Sequence, residues 1–308
     1  MPEQKPSALL MVRPAAFGFN PETAETNAFM MRDQANIAEV LQRAQAEFDA
    51  MVDLLLAHQI EVHVIDDTLV PIKPDAIFPN NWVSFHEDGR VILYPMQAAN
   101  RRLERRIDVL DWLRKLFVIT EVLDESPFEI EEKYLEGTGS LVFDHVNRVA
   151  FACRSSRTDE TLVDRICTLL QYQPVVFDAV DEEGRPIYHT NVVMCVGTRF
   201  AVVCLDAIHR EADQDAVLDQ FVRSGHRVVA ISYAQMRAFA GNMIEVADQD
   251  GQPYVLMSQT AMASLLPGQV DALSKEAELL PLAVPTIERY GGGSVRCMVA
   301  GIHLPRRG

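Results

Sequence analysis

The chain has 308 residues, of which 48% are hydrophobic, so it is long and apolar enough to form a globular protein with a substantial core. Its 44 acidic and 28 basic residues give a formal net charge of -16, which excludes nucleic acid as an expected partner. The one dense basic cluster of the sequence, at 101–106, is interleaved with acidic and apolar residues, as on a solvated helix face.

Cysteine usage and the distribution of apolar residues indicate the environment in which the protein works. The five cysteines are odd in number and form no CxxC pair, which argues against a disulfide scaffold or a zinc ribbon. The first ten residues lack the apolar core of a signal peptide, and no apolar run approaches the length of a membrane span. We therefore expect a cytoplasmic protein with no membrane partner.

Strand and helix patterns alternate from the N-terminus onward. The apolar run Ala8–Val12 predicts a buried strand. From about Gln34 to His58, apolar residues recur at spacings of three and four, which predicts a long amphipathic helix. Residues 61–65 alternate as in a strand, and extended structure is expected again at 80–85.

The same order of elements returns along the rest of the chain. Further strands are predicted at 91–94, 118–122, 140–143, 149–152, 174–177, 192–196, 200–204, 227–231, 244–246, 254–257 and 283–287, and further helices at 101–116, 159–170, 217–223 and 271–279. The unit recurs about every 50 to 60 residues, in about five copies, which predicts radial repetition around a shared core. We therefore expect one α/β domain spanning residues 1–308, with a site near its axis.

Polar turns precede a strand in successive copies of the unit. Their side chains are Asn80, Asn81, Glu136, His189, Asn191, Asn242 and Cys297. A cysteine nucleophile needs an acid or base partner, and that partner needs a group that orients it. The shared position in the repeat therefore predicts a catalytic site in which Cys297, His189 and Glu136 take these three roles.

Three consecutive glycines, at 291–293, lie just before Cys297. Glycines in such a run indicate a backbone with unusual dihedral angles or a close approach to a ligand. This context predicts a partly exposed cysteine whose sulfur faces loop amides that favour the thiolate. The alternative is a buried structural cysteine beside a turn.

Three segments, Glu136–Ser140, His189–Asn191 and Gly291–Met298, resemble the active-site motifs of the guanidino-group-modifying enzymes, the pentein or amidinotransferase-like superfamily. The resemblance covers essentially the whole chain and implies a fivefold pseudosymmetric α/β propeller, the pentein fold. It also implies that Cys297 is the nucleophile, His189 the general acid and base, and Glu136 the carboxylate that supports the histidine. No metal and no cofactor are implied.

The chain departs from the arginine deiminases it resembles at the positions that bind the guanidinium. Those enzymes carry aspartates where this chain has Asn191 and either Asn80 or Asn81. Neutral amides lose the attraction for a cation, but they can donate to and accept from a neutral ureido group. The chain thus most resembles the citrulline hydrolases related to arginine deiminase, with Pro79–Trp82 and Tyr188–Asn191 as the clearest matches; succinylarginine dihydrolase is also similar.

These observations favour hydrolysis of citrulline to ornithine, ammonia and carbon dioxide through a covalent intermediate on Cys297. Asn242 is a further candidate for substrate binding, and Arg13 or Arg296 could bind a substrate carboxylate, with a structural role as the alternative for each. The expected partner is a small amino-acid substrate, and a homo-oligomer is left open. Alternatives are an arginine deiminase, a dihydrolase, an amidinotransferase, or a pentein that binds a ligand without catalysis.

Overall fold

The computed structural model describes residues 3–31 and 36–307 and shows a mixed α/β fold. The strands in these ranges are β1 (Ala8–Arg13), β2 (Val62–Asp66), β3 (Val83–Phe85), β4 (Arg90–Leu93), β5 (Glu121–Asp124), β6 (Val142–Asp144), β7 (Val149–Cys153), β8 (Gln173–Phe177), β9 (Met194–Val196), β10 (Phe200–Val203), β11 (Arg227–Ala230), β12 (Ile244–Ala247), β13 (Pro253–Ser258), β14 (Glu278–Leu282) and β15 (Ala300–Ile302).

The helices of the same ranges connect these strands. The α-helices are α1 (Pro21–Ala24), α2 (Ile37–Ala57), α3 (Ile107–Leu113), α4 (Gly137–Ser140), α5 (Glu160–Leu170), α6 (Thr190–Val193), α7 (Glu211–Arg223), α8 (Tyr233–Arg237), α9 (Gln259–Ser264), α10 (Pro267–Ser274) and α11 (Pro285–Gly291). The 3-10 helices are Pro79–Asn81, Ala99–Glu104, Ser126–Glu131 and Leu205–Ala207. None of the helices in the described ranges is long and apolar enough to cross a membrane.

One pairing pattern occurs five times among the described strands. A central strand pairs antiparallel with one neighbour and parallel with the other, in the units β15-β1-β2, β3-β4-β5, β6-β7-β8, β9-β10-β11 and β12-β13-β14. The first two units join through β15 and β3 into a six-stranded sheet. The α/β class predicted from the sequence is confirmed, and the first unit combines strands from both ends of the chain.

The long helix α2 shows how the sequence pattern produces this packing. Its N-cap is Asn36, whose side chain accepts a hydrogen bond from the Ala38 amide at 3.0 Å. Its buried face is formed by Val40, Ala44, Phe48, Met51 and Leu55. Phe48 is fully buried, so truncating it to alanine is expected to cost about 3 to 5 kcal/mol. The predicted start of the helix at Gln34 lies outside the described residues.

Several predicted elements were wrong, and proline explains two of the errors. The predicted strand 283–287 is instead the start of α11, because a proline is tolerated in the first helical turn, where its missing N–H has no partner to lose. The predicted helix 271–279 begins earlier, at Pro267, and ends at Ser274. The predicted helix 101–116 is divided into the 3-10 helix Ala99–Glu104 and α3. The first part of the predicted 80–85 strand is the 3-10 helix Pro79–Asn81.

Candidate active site

Three short helical segments pack against one another and place the candidate catalytic side chains together. They are the 3-10 helix at 79–81, α4 and α6. Glu136 and His189 are the N-cap residues of α4 and α6. A Cβ on Gly137 would lie 2.3 Å from a carbonyl oxygen of the 79–81 segment, and one on Gly139 would lie 2.7 Å from His189 Nδ1. Glycine is therefore required at both positions for this close approach.

The side chain of Thr190 locks α6 against its neighbours. Its hydroxyl donates to the Ser140 carbonyl at 2.6 Å and accepts from the Cys153 amide at 2.8 Å. The hydroxyl of Tyr188 donates to the Gly292 carbonyl at 2.7 Å, which ties the same segment to the glycine run. These bonds fix the backbone on both sides of His189, so the imidazole has a defined orientation.

His189 and Glu136 form a buried pair. Nε2 of the imidazole lies 2.9 Å from Oε2 of the carboxylate, and both residues are almost inaccessible to solvent. Burial lowers the pKa of His189 to about 4, although the hydrogen bond to Glu136 acts in the opposite direction. At neutral pH the imidazole is therefore uncharged; with Nε2–H donated to Glu136, Nδ1 keeps a lone pair that can take a proton.

Glu136 is held in its ionised form. Burial acts to raise the pKa of its carboxyl group, but Arg157, His189 and Arg101 together hold that pKa well below its usual range. Nη1 of Arg157 lies 3.5 Å and Nη1 of Arg101 3.8 Å from Oε2, and the Gln97 amide donates to Oε1 at 3.1 Å. The fixed negative charge can stabilise an imidazolium when His189 accepts a proton.

The sulfur of Cys297 lies among side-chain amides. Nδ2 of Asn242 is 3.3 Å and Nδ2 of Asn191 is 3.5 Å from Sγ. The Arg296 amide donates to Asn242 Oδ1 at 3.1 Å, and Asn242 Nδ2 also donates to the Asn191 carbonyl, so the amide group of Asn242 is oriented from both ends. Two side-chain amide donors from different segments therefore face the sulfur of the candidate nucleophile.

The predicted environment of Cys297 is corrected in two respects. The residue is only 4% exposed rather than partly exposed, and the donors to its sulfur are side chains from other units rather than amides of the glycine loop. The glycines serve other purposes. Gly292 has φ 61° and caps α11, while a Cβ on Gly291 would lie 2.7 Å from the Phe78 ring. The run thus ends a helix and allows close packing beside the nucleophile.

A cavity of about 280 Å³ opens onto Cys297 and His189. It is also lined by Thr23, Asn27, Asp75, Phe78, Asn81, Arg101, Arg157, Tyr188 and the glycine run 291–293. Two guanidinium groups and one carboxylate therefore face the same space as the thiol and the imidazole. That combination of charges suits a zwitterionic ligand more than an apolar one.

Asp75 and Asn81 each present a free polar atom in this region. Asp75 is 3% exposed; its Oδ2 accepts from Asn20 at 2.7 Å and from Thr23 at 3.1 Å, whereas Oδ1 has no partner. Asn81 Oδ1 accepts from Arg101 Nη1 at 2.8 Å, whereas Nδ2 has no partner. The site therefore offers one free carboxylate oxygen and one free amide donor.

The two arginines that the sequence suggested for a substrate carboxylate lie away from this cavity. Arg13 is partly exposed and makes a double hydrogen bond to Asp49, at 2.7 and 2.8 Å. The guanidinium of Arg296 donates to the Val299 carbonyl at 3.0 Å and lines a different cavity. Neither lines the cavity at Cys297, and the guanidinium of each is engaged elsewhere.

The predicted asparagines occupy different places. Asn81 lines the cavity, and Asn191 and Asn242 contact the sulfur. Asn80 is fully buried with no partner for either amide atom, and it is not among the cavity-lining residues. In the ranges 3–31 and 36–307, no group of three or more His, Cys, Asp or Glu side chains could hold a metal ion.

Sequence reasoning missed three residues of the cavity: Asp75, Arg101 and Arg157. Arg101 was assigned to a solvated helix face, but it is 3% exposed, because its guanidinium is held by Glu104 at 2.8 Å. Arg157 stands in an irregular segment with no periodic signal, and its side chain is buried at 3% exposure. For Asp75, the sequence offered one local indication of a special position: the apolar pattern is interrupted just before the Pro79–Asn81 helix.

Comparison with known proteins relates this geometry to others. Residues 13–304 match the family described as N,N dimethylarginine dimethylhydrolase, eukaryotic. No curated protein sequence matches the chain.

Three solved structures share the fold at low sequence identity. The N-terminal domain of ArgZ, an arginine dihydrolase from the ornithine-ammonia cycle in cyanobacteria, in a substrate-bound cysteine-to-serine variant, has TM-score 0.74 and 16% identity over 97% of this chain and 98% of that chain. A cysteine-to-alanine variant of AgrE with L-arginine has TM-score 0.75 and 17% identity over 97% of this chain and 40% of that chain. The DDAH from Pseudomonas aeruginosa, in a cysteine-to-serine variant complexed with citrulline, has TM-score 0.65 and 13% identity over 98% and 100% of the two chains.

Proposed function

This chain belongs to the N,N-dimethylarginine dimethylhydrolase family of eukaryotic type, among the guanidino-group-modifying enzymes. From that membership we propose that it is a cysteine hydrolase, and from the polar groups of its cavity we propose that its preferred substrate is citrulline. The enzyme cleaves the ureido C–N bond and releases ornithine, ammonia and carbon dioxide. The five three-stranded units are what a closed fivefold propeller requires, and we include that arrangement in the proposal.

The observation that carries the substrate assignment is the free donor on Asn81. Because Arg101 has only donors, it fixes the oxygen of the Asn81 amide and leaves Nδ2 unpartnered. Nδ2 and His189 Nδ1 lie against the same face of Gly139, at 2.5 and 2.7 Å from where its Cβ would be. A ureido group has a carbonyl oxygen that accepts from this donor, whereas a guanidinium has donors only.

The charged residues of the cavity support an amino-acid substrate. Arg157 and Arg101 can bind an α-carboxylate, since guanidinium groups pair well with carboxylates. The free Oδ1 of Asp75 can accept from an α-ammonium group, and Arg101 Nε lies 3.8 Å from Oδ2 of the same carboxylate. Opposite charges side by side match the zwitterionic head of citrulline, ornithine or arginine.

The reaction follows from the roles of Cys297 and His189. The thiol proton passes to His189 Nδ1, and the thiolate attacks the ureido carbon while Asn81 Nδ2 donates to the developing oxyanion. His189 returns the proton to the leaving nitrogen, so ornithine departs and an S-carbamoyl enzyme remains. Water, deprotonated by His189, then releases carbamate, which decomposes to ammonia and carbon dioxide. Ionised Glu136 stabilises the imidazolium in both steps.

Hydrolysis of arginine or a methylated arginine is the second candidate. The family match favours it, and the unpartnered Oδ1 of Asp75 favours it too if the cationic end of the ligand, rather than its α-ammonium group, lies there. The two readings predict opposite substrate preferences, because they assign the neutral end and the charged end of the ligand to different residues.

Steady-state assays of the purified protein separate the candidates. Citrulline, arginine, N,N-dimethylarginine and succinylarginine are each supplied, and loss of substrate is followed together with the release of ornithine, citrulline, ammonia and dimethylamine. Equal amounts of ornithine and ammonia from citrulline, with little turnover of arginine, are expected. A kcat/KM for arginine or its methylated form well above that for citrulline would assign the second candidate. Inactivity toward all four would favour a pentein that binds a ligand without catalysis.

A further inference from the structure

A second cavity lies on the far side of the catalytic residues from the substrate. It shares no lining residue with the active-site cavity. Asn191, whose amide donates to Cys297, forms part of its wall, and so does Arg296, the residue before the nucleophile. We call this space the rear chamber.

The rear chamber contains a guanidinium without a counter-ion. Nη1 of Arg296 donates to the Val299 carbonyl, and none of the described carboxylates lies within 4.0 Å of its nitrogens. Burial lowers the pKa of Arg296 to about 10, so the group is still charged at neutral pH. A buried charge without a partner is unfavourable by several kcal/mol, and an anion from solvent would remove that penalty.

Three histidines surround this charge. The rings of His145 and His303 are tilted by 41° against each other with centroids 4.1 Å apart, and His86 lines the same cavity. His86 Nε2 is bonded to the Ser84 hydroxyl at 2.7 Å and His145 Nδ1 to the Tyr172 hydroxyl at 2.8 Å, which occupies one ring nitrogen of each. His303 has no hydrogen bond to any other described residue.

Glu245 and Gln4 of the chamber lining are already engaged. Glu245, the acidic residue of its lining, accepts from the amide and hydroxyl of Thr198 and makes no ion pair with Arg296. Gln4 donates to the Phe143 and Val196 carbonyls, both at 2.9 Å, and accepts from the His145 amide at 2.8 Å. The donors left to a ligand are therefore the guanidinium and the free imidazole nitrogens, while Oδ1 of Asn191 is a free acceptor in the lining and does not bind an anion.

We propose that the rear chamber binds one small oxyanion between the Arg296 guanidinium and the imidazole of His303. The planar guanidinium donates two parallel hydrogen bonds to an oxyanion, which a spherical halide cannot accept in the same way. Phosphate and bicarbonate share this chemistry. The site is distinct from the arginines that face the substrate, and the proposal does not depend on which substrate the enzyme uses.

Isothermal titration calorimetry on the full-length protein tests the site, with inorganic phosphate, bicarbonate and chloride as separate probes. The enzyme is first saturated with ornithine, so that Arg101 and Arg157 are occupied. One phosphate or bicarbonate is expected to bind per chain, at least about tenfold more tightly than chloride. The oxyanion that binds more tightly identifies the ligand. An absence of binding by both, or tighter binding of chloride, would overturn the proposal.

His303→Leu is expected to weaken oxyanion binding by about tenfold or more, because it removes a donor while keeping the size of the side chain. The matched control is His209→Leu, at an exposed histidine outside the chamber, and it should bind as wild type does. Equal affinity of His303→Leu and wild type would contradict the assignment. Circular dichroism establishes that both variants are folded.

The position of the bound oxyanion can be tested on the wild-type protein. Crystals soaked in selenate, a tetrahedral oxyanion with a strong anomalous signal, should show a peak beside the Arg296 guanidinium. A peak only against Arg157 or Arg101, or no peak, would place oxyanion binding elsewhere and refute the proposal even if His303→Leu fails to fold.

Discussion

Arg157 Nη1 lies 3.5 Å from Oε2 of Glu136, so one guanidinium contacts this carboxylate and also lines the cavity at Cys297. The same guanidinium lies over the Tyr188 ring, 5.0 Å from its centroid, and donates to the Thr23 carbonyl at 2.8 Å. These contacts hold Arg157 in place before a ligand arrives. Its charge is therefore available to a substrate carboxylate without reorganisation.

Replacing Arg157 should separate binding of the carboxylate from catalysis. Arg157→Met is expected to raise KM for citrulline by about tenfold to a hundredfold, because a charge that attracts the substrate carboxylate is lost. KM for N-carbamoylputrescine, which lacks the carboxylate, should change much less. The matched control is Arg154→Met, whose guanidinium pairs with Glu160 at the surface. An equal loss for both substrates would mean that Arg157 acts only through Glu136.

A change of charge at Asn81 tests whether this residue selects citrulline over arginine. Asn81→Asp replaces the free donor with an acceptor, so the ratio of kcat/KM for citrulline to that for arginine should fall by about tenfold to a hundredfold. Asn191→Asp, beside the sulfur, should move the ratio in the same direction. A new carboxylate could also raise the pKa of His189 and slow both substrates, so the ratio is the diagnostic quantity.

The control for those variants is Gln249→Glu, which adds the same charge at an exposed position. It should leave the ratio unchanged. If the wild-type enzyme already prefers arginine, the hypothesis that its asparagines select a neutral ureido substrate is wrong.

Cys297 is expected to form the covalent intermediate. Cys297→Ser should abolish turnover without unfolding the protein, since the change removes only nucleophilicity. Mass spectrometry of wild type quenched during turnover should show one added carbamoyl group on the peptide that contains Cys297. Cys204→Ala, at another buried cysteine, should keep the mechanism intact. Near-normal kcat in Cys297→Ser would disprove the assignment.

His189 and Glu136 should behave as one unit. Each single alanine variant is expected to lose several orders of magnitude in kcat, and the double variant should be little worse than either, because both groups serve the same proton transfers. The measurement is a double-mutant cycle on kcat/KM for citrulline. Additive losses would indicate a separate role for Glu136.

The buried histidines predict loss of stability in acid. Burial lowers the pKa of His86 to about 3 and the pKa values of His189 and His303 to about 4. Between about pH 6.5 and 4 the unfolded chain therefore binds protons that the native state does not. The free energy of unfolding consequently falls as pH falls. Each of these histidines contributes up to about 1.4 kcal/mol for every pH unit. Below the folded pKa values the loss from these groups is complete.

Urea unfolding at a series of pH values measures this slope. His86→Gln should reduce the slope of unfolding free energy against pH by the contribution of about one proton. His209→Gln, at an exposed side chain, should leave the slope unchanged. The pKa of Glu136 is lowered instead, so its contribution is present above pH 4.5 and is lost only as pH falls further, which places it at the acid end of the same titration. A slope unaffected by His86→Gln would show that this histidine is charged in the native state.

The sequence by itself determined the class of the fold and the residue types at its centre. Apolar periodicity located most strands and helices, because burial of one face is a local property of the pattern: the helix predicted from Asp159 to Leu170 is α5, with Asp159 as its N-cap. The polar turns at Glu136, His189 and Cys297 could be recognised because they interrupt apolar runs at the same point of a repeated unit.

Only the tertiary structure decided which charges line the cavity at Cys297 and which atom of each side-chain amide is left free. Arg101 belongs to the basic cluster that the sequence assigned to a solvated helix face, and Arg157 comes from a segment with no distinguishing local pattern and contacts Thr23 across 134 residues of sequence. The free atom of Asn81 is a donor only because Arg101, twenty residues away, holds its oxygen. An amide or guanidinium looks the same in any sequence; its partner, and therefore its chemistry, is set by contacts between distant parts of the chain.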